Sequence, residues 1–181
     1  MSNYTVEKYS SEHHDEWQDF VRMSVNGTFF HEQKFLTYHE EGKFEDCSLM
    51  IYKKDELIAV FPAAVLQRGD KRVLKSHPGT SYGGAIFGTF TKLKEVMAVQ
   101  SAIEEYTKAN GISRVEFRQA PKIFNEMPFD QLDFSLVQLG YEREDQELST
   151  CYPLLEYRDI PIEDMIKLFE NDGRNKVRKN V

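Results

Sequence analysis

The side chains that could do chemistry gather in one stretch of this sequence, Ser76-His77-Pro78-Gly79-Thr80-Ser81-Tyr82-Gly83-Gly84. Imidazole, hydroxyl and phenol groups alternate there with proline, which fixes the backbone, and glycine, which frees it. A loop of that kind at the end of a strand suits ligand binding better than a helix face does. Two stricter motifs overlap it. Gly79, Ser81 and Gly83 fit GxSxG, the strand-to-helix elbow that exposes a hydrolase nucleophile. Here Ala85-Ile86-Phe87-Gly88 follows instead of a helix, and His13, His14, His31, His39 and His77 all precede Ser81, whereas that order needs histidine after the nucleophile. Thr80 to Ala85 keeps the glycine and alanine of the Arg/Gln-x-x-Gly-x-Gly/Ala loop, whose backbone N–H groups cradle a pyrophosphate. It has threonine at the first position and lies well before the long helix. Its glycines equally suit a bulge or a close backbone approach.

The histidines do not have metal-ligand spacing. His13 and His14 are adjacent and point to different sides of a helix, and His31 and His39 stand two turns apart, about 12 Å along a helix. Neither pair resembles the i, i+4 pair of a zinc helix, so no metal is expected and capping or solvated roles are. No Walker A loop or GxGxxG occurs.

Composition narrows the classes further. The 181 residues hold 23 Lys+Arg and 30 Asp+Glu, for a net charge of −7, with 40% apolar and 13% aromatic residues. That is a globular composition, and length favours one domain. Arg174, Lys176, Arg178 and Lys179 against Asp172 give residues 171–181 a net +3, which leaves −10 on residues 1–170. An acidic body is a poor general binder of nucleic acid, which is held through Lys and Arg. The longest near-apolar run, Leu57 to Leu66, contains Pro62 and is too short to span a bilayer. The N-terminus lacks the layout of a signal peptide. Cys47 and Cys151 are isolated, as buried free thiols would be in a reducing cytoplasm. The sequons at Asn3 and Asn26 have no role without secretion, and Arg68-Gly69-Asp70 reads as a turn rather than an adhesion motif.

Periodicity supplies the elements that must position the loop. A first strand runs through Tyr4, Val6 and Tyr9, and a helix from Glu12 to Met23 follows an N-cap at Ser10 or Ser11. A second helix covers about Gln33 to Glu40. Ser48 to Lys53, Leu57 to Leu66 and Arg72 to Lys75 form an antiparallel meander with turns at 54–56 and 68–71. The clearest helix runs from Lys92 to Ala109, with Leu93, Val96, Met97, Ile103 and Tyr106 on one face. Ser113 to Gln119 alternates as a strand up to Pro121. A helix over 130–139, a strand over 147–155 and a helix over 160–169 complete the order. The fold class is α/β (α+β), a mixed and mostly antiparallel sheet with flanking helices.

In this order the chain resembles the N-terminal half of the FemAB-type proteins, peptidoglycan-bridge and methicillin-resistance-factor relatives within the GNAT-like N-acyltransferases. The residues that carry the resemblance are Gly27-Thr28-Phe29-Phe30-His31, Ser76-His77-Pro78-Gly79 with Tyr82-Gly83-Gly84, Glu116 to Pro121, Pro128, Leu139-Gly140-Tyr141, and the basic Arg174-Asn175-Lys176-Val177-Arg178-Lys179. The resemblance implies a GNAT-like domain over residues 1–170. Residues 171–181 would then be a basic segment leading to a second such domain, which usually supplies the donor site. It also implies that Phe30, His31, Ser81, Gly83 and Gly84 line an acceptor cleft and that Arg118 binds an anionic part of the acceptor. His77 and Tyr82 become the catalytic candidates. No cofactor is held tightly; acyl-CoA or aminoacyl-tRNA is the donor, tRNA being met through the second half.

The expected function is the acceptor-binding domain of an N-acyltransferase acting on an amine of a cell-envelope or polysaccharide precursor, part of a longer protein and inactive alone. The competing readings are a non-catalytic GNAT-like binding module and a single-domain acetyl-CoA N-acetyltransferase.

Overall fold

In the computed structural model, residues 4–40, 42–148 and 154–168 are described. The chain divides into two units, residues 1–144 and residues 145–181. The boundary expected at residue 171 and the basic residues Arg174, Lys176, Arg178 and Lys179 lie outside the described residues, as does Cys151.

The first unit is built on a hairpin that bends in its middle. One arm is β2 (Glu45–Asp46) and β3 (Leu49–Lys53), and the other is β4 (Glu56–Phe61) and β5 (Ala63–Arg68). Leu57 to Leu66 reads as one strand by composition, but proline has no N–H for the ladder, and Pro62 splits the run between two four-stranded sheets. One sheet has the order β1-β3-β4-β7 and the other β2-β5-β6-β8, where β1 is Tyr4–Lys8, β6 Lys71–Ser76, β7 Ile86–Phe87 and β8 Arg114–Glu116. All pairings are antiparallel except β6 with β8. At the bend, Cys47 N–H donates to the Ala63 carbonyl (2.9 Å), and Ala63 N–H donates to the Ser48 hydroxyl (3.3 Å).

The sheet containing β3 is covered on both faces. Leu49, Ile51, Ala59, Phe61 and Phe87 point to one cluster with Val96, Val99 and Ile103 of α3 (Leu93–Ala109) and Leu132 and Leu136 of α4 (Gln131–Gln138). Met50, Tyr52, Val60 and Ile86 point to the other, with Trp17 and Val21 of α1 (His14–Met23) and Leu36 of α2 (Gln33–Leu36). Side chains alternate across a strand, so a strand buried on both faces is apolar throughout. That is the pattern of Leu49-Met50-Ile51-Tyr52. The α+β architecture, mixed and mostly antiparallel with flanking helices, is the one expected.

Several local expectations are corrected. The first helix begins as a 3-10 turn at Ser11–His13, and Ser10 caps it without a side-chain hydrogen bond. The second helix stops at Leu36, because Tyr38 and His39 are drawn off against the segment around Gly79. β8 is only Arg114–Glu116; beyond it, Arg118 N–H is taken by the Ser76 hydroxyl (2.8 Å). In the second unit, residues 145–148 hold no strand, and α5 (Leu154–Tyr157) occupies the end of the expected strand over 147–155, whose middle lies outside the described residues. The last expected helix is α6 (Ile162–Met165) followed by a 3-10 turn at Ile166–Leu168.

Trp17 is wholly buried and donates its indole N–H to the His31 carbonyl (2.8 Å). Trp17→Phe should therefore lower the unfolding free energy by about 1–3 kcal/mol, since it leaves a buried carbonyl unpaired. Urea denaturation monitored by circular dichroism measures it.

Candidate functional site

The site forms where the chain leaves the sheet after Ser76 and rejoins it at Ile86. β6 pairs with β5 and β7 with β4, so residues 77–85 are an excursion opposite the Pro62 bend. His77 N–H donates to the Pro62 carbonyl (3.1 Å), and the Thr80 hydroxyl closes the turn onto the His77 carbonyl (2.8 Å). The loop returns alongside the continuation of β8: Gly83 N–H donates to the Arg118 carbonyl (2.7 Å), and Gly83 bridges to Gln119. The two glycines serve close backbone approach. A Cβ on Gly83 would lie 3.3 Å from Ser76 Cβ, and Gly84 has φ +96° against the Gln119 backbone. Gly83 N–H is thus committed to protein, and β7 stands between this loop and α3.

A second turn meets the loop. Thr28 N–H donates to His31 Nδ1 (3.0 Å), which makes Nδ1 an acceptor and places the proton of the neutral ring on Nε2. Nε2 is buried beside the Gly83 backbone without a hydrogen bond of normal geometry. His31 is 0% exposed, so it reaches the loop from inside the protein and no solvent-facing surface of it is left. Phe30 stands edge-on to Tyr82, with centroids 4.6 Å apart, and Tyr82 stacks on exposed Phe124 at 5.8 Å. Ser81 is exposed at the tip.

The other wall comes from residues that periodicity does not single out. His39 and His77 lie with their rings nearly parallel (8°), 6.3 Å apart, and Phe44 stands edge-on to both. Gly79, at φ +94°, is held by Tyr38, whose phenol donates to its carbonyl (3.2 Å), and a Cβ there would fall 2.1 Å from His39 Nε2. His39 is therefore packed into the site rather than solvated. Its contacts with the distant Gly79 and His77 reveal this place. Phe29, Phe30, Phe35 and Tyr38 connect the two walls by ring contacts.

The structure thus brings Phe30, His31, His77, Ser81, Tyr82, Gly83, Gly84 and Arg118 around one loop. A cavity of about 130 Å³ lies on one side of the loop, lined by Lys75, Ser76, His77, Thr80, Gly83 and Arg118 and the intervening backbone; Phe30, Ser81 and Tyr82 are not part of its lining. Among the described residues no group of three or more His, Cys, Asp or Glu could hold a metal ion. No described helix is long and apolar enough to cross a membrane.

The N-terminus of α3, the natural place for a phosphate, already holds a carboxylate of the protein. Glu95 accepts from Lys92 N–H (3.1 Å) and pairs with Lys53 (2.5 Å). The Lys53 pairing and the Lys92 backbone hold its carboxyl below the usual carboxylate range. A pyrophosphate there would meet this anion.

No family model matches the chain, and no curated protein matches it. Solved structures do resemble it. An aminoglycoside acetyltransferase from an uncultured soil metagenomic sample, in complex with sisomicin, is 12% identical over 83% of this chain and 96% of that one, at a TM-score of 0.48. Aminoglycoside N-acetyltransferase AAC(6')-Iy in complex with CoA is 12% identical over 83% and 95%, at 0.47. A possible acetyltransferase from Clostridium difficile 630 is 6% identical over 82% and 97%, at 0.44. Each is a likeness in fold and no more.

Burial pushes the pKa of both His31 and His77 below 6.5, with smaller opposing contributions from the Gly83 and Thr28 backbone for His31 and from Asp46 for His77. A folded pKa below the unfolded one means a contribution to stability that is whole above pH 6.5 and lost as pH falls through the folded values. The unfolding free energy should therefore drop as pH falls below 6.5. Denaturant midpoints across that range measure it, and His77→Gln should flatten the slope.

Proposed function

We propose that this chain is the acceptor-binding domain of an N-acyltransferase that modifies an amine on a cell-envelope or polysaccharide precursor. The observation that carries this reading is the 77–85 excursion, which presents His77 to a cavity shared with Arg118 and holds Tyr82 against Phe30 on the same loop. Small polar groups set among aromatic surfaces are what a specific ligand site needs.

In the reaction, the free amine nitrogen attacks the acyl carbonyl carbon. The N–C bond forms, the bond to the leaving group breaks, and the ammonium proton passes to a base. His77, kept neutral by burial, is in the form that accepts a proton. The Tyr82 hydroxyl is the candidate donor to the oxyanion. Phe30 orients Tyr82, and His31 supports the loop from beneath. The self-occupied N-terminus of α3 supports a donor site outside this domain. By the resemblance of Arg174 to Lys179, that site belongs to a second domain. The same observation favours a second reading, a binding module without transfer activity.

Two measurements separate these. Acetyl-CoA should leave the melting temperature of the 181-residue chain unchanged; a rise would instead support a single-domain acetyltransferase. In the full-length protein, the double variant His77→Ala, Tyr82→Phe should lose at least about 100-fold in turnover. Unchanged turnover would remove both residues from the chemistry, and acceptor binding without any turnover would favour the binding module.

A further inference from the structure

Six aromatic rings from four separate segments touch in an unbroken strip. Phe124 meets Tyr82 at 5.8 Å between centroids, Tyr82 meets Phe30 at 4.6 Å, Phe30 meets Phe35 at 4.7 Å and Phe35 meets Tyr38 at 5.0 Å, with Phe29 against Phe30 at 4.1 Å. None of the six belongs to either buried cluster of the first unit, so they are not core packing. Phe29, Tyr38 and Phe124 are 55%, 58% and 45% exposed. Large rings left side by side in water mark a binding surface, whereas single exposed apolar residues need no explanation. The segments that carry the strip have no net charge. Residues 28–38 hold Glu32 against Lys34, residues 121–127 hold Glu126 against Lys122, and residues 80–84 hold no charged side chain. Lys122 is moreover taken by Asp130 and Asp133.

We propose that the strip is a platform for a neutral oligosaccharide chain, with successive sugar rings lying on successive aromatic rings. A pyranose has flat faces of weakly positive C–H groups and a rim of hydroxyls. The C–H faces complement the negative face of an aromatic ring. The rim is met by water and by exposed Thr37 and Ser81, which adjoin Tyr38 and Tyr82 in the chain. The steps between the rings are comparable with one sugar unit, so the strip suits a ligand of repeated flat units. Nucleobases are flat and repeated too, but a nucleic acid is held through Lys and Arg along its backbone. An anionic membrane is likewise met by clustered cations, and the strip has no net charge to offer either. The platform rests on the proposed function in one respect only, that the chain belongs to a polysaccharide acceptor. Phe29, Phe35, Tyr38 and Phe124 thereby carry the acceptor surface beyond Phe30 and Tyr82, along the 77–85 loop.

The test is isothermal titration calorimetry of the 181-residue chain with cellohexaose, chitohexaose and maltohexaose, and with the corresponding disaccharides. At least one hexasaccharide should bind in the millimolar range or tighter, and at least about tenfold more tightly than its disaccharide. Because the ligand is neutral, salt should not change the affinity. Phe29→Leu and Phe124→Leu keep apolar area but remove a ring face; each should weaken binding at least about threefold at unchanged melting temperature. Phe90→Leu, at an 87% exposed position on the β7–α3 connection, should bind as the parent chain does. Absence of binding to all three hexasaccharides overturns the proposal, and so does binding that survives both leucine variants on the strip. Thymidine oligonucleotides or phosphatidylglycerol vesicles binding to these rings in place of the sugars overturn it in favour of a nucleic acid or a membrane. Sugar binding by a full-length protein that transfers no acyl group would leave the platform standing and remove the transferase reading. Acyl transfer by a protein that binds none of the sugars would do the reverse.

Discussion

A proline inside a buried strand cannot donate to the ladder, and the arrangement of the first unit depends on how that missing hydrogen bond is managed. At Pro62 the second arm of the central hairpin passes from one sheet to the other. Ser48 supplies a side-chain oxygen to Ala63 N–H, and the Pro62 carbonyl is taken by His77 N–H from the next strand. The neighbouring strand cannot follow the bend without a break of its own. It leaves at Ser76, makes the His77–Ala85 excursion, and returns as β7. The loop that carries the candidate chemistry is thus a consequence of sheet geometry.

The excursion is held by packing from both sides. Inside, His31 is fixed as the Nε2–H tautomer by Thr28 and lies beneath Gly83. Outside, Tyr38, His39 and Phe44 close on Gly79 and His77. Buried imidazoles in such a setting favour the neutral form, so the same packing that shapes the loop keeps His77 able to accept a proton near neutral pH.

The opposite end of the β7–α3 connection shows a different use of charge. Glu95 fills the N-terminal end of its own helix and is held there by Lys53. A helix that satisfies its first turn with its own carboxylate has little to offer a phosphate. On the outer face of β5, β6 and β8, by contrast, Glu116 is outnumbered by Arg68, Lys75 and Arg114.

What the sequence by itself determined is everything that depends on near neighbours. The strand formers from Ser48 to Lys53 specify a strand, and the spacing of Val96, Ile103 and Tyr106 specifies the packed face of α3, although Leu93, read on the same face, is exposed. Pro and Gly in residues 76–84 mark a loop with hydroxyls and imidazole to present. The α+β class and the location of the candidate site follow from these local patterns. What only the tertiary structure decided is what depends on distant partners. Leu57 to Leu66 looks continuous until Pro62 must choose between two sheets. His31 and His39 look alike as isolated histidines, yet one is buried beneath Gly83 and the other is packed on Gly79, with the Tyr38–Gly79 bond closing over 41 positions. The cation excess around Glu116 needs Arg68 and Arg114 brought together from separate strands. Periodicity reports which face of an element is apolar. It carries no information about which other element will meet that face, because that is set by how the whole sheet bends and closes.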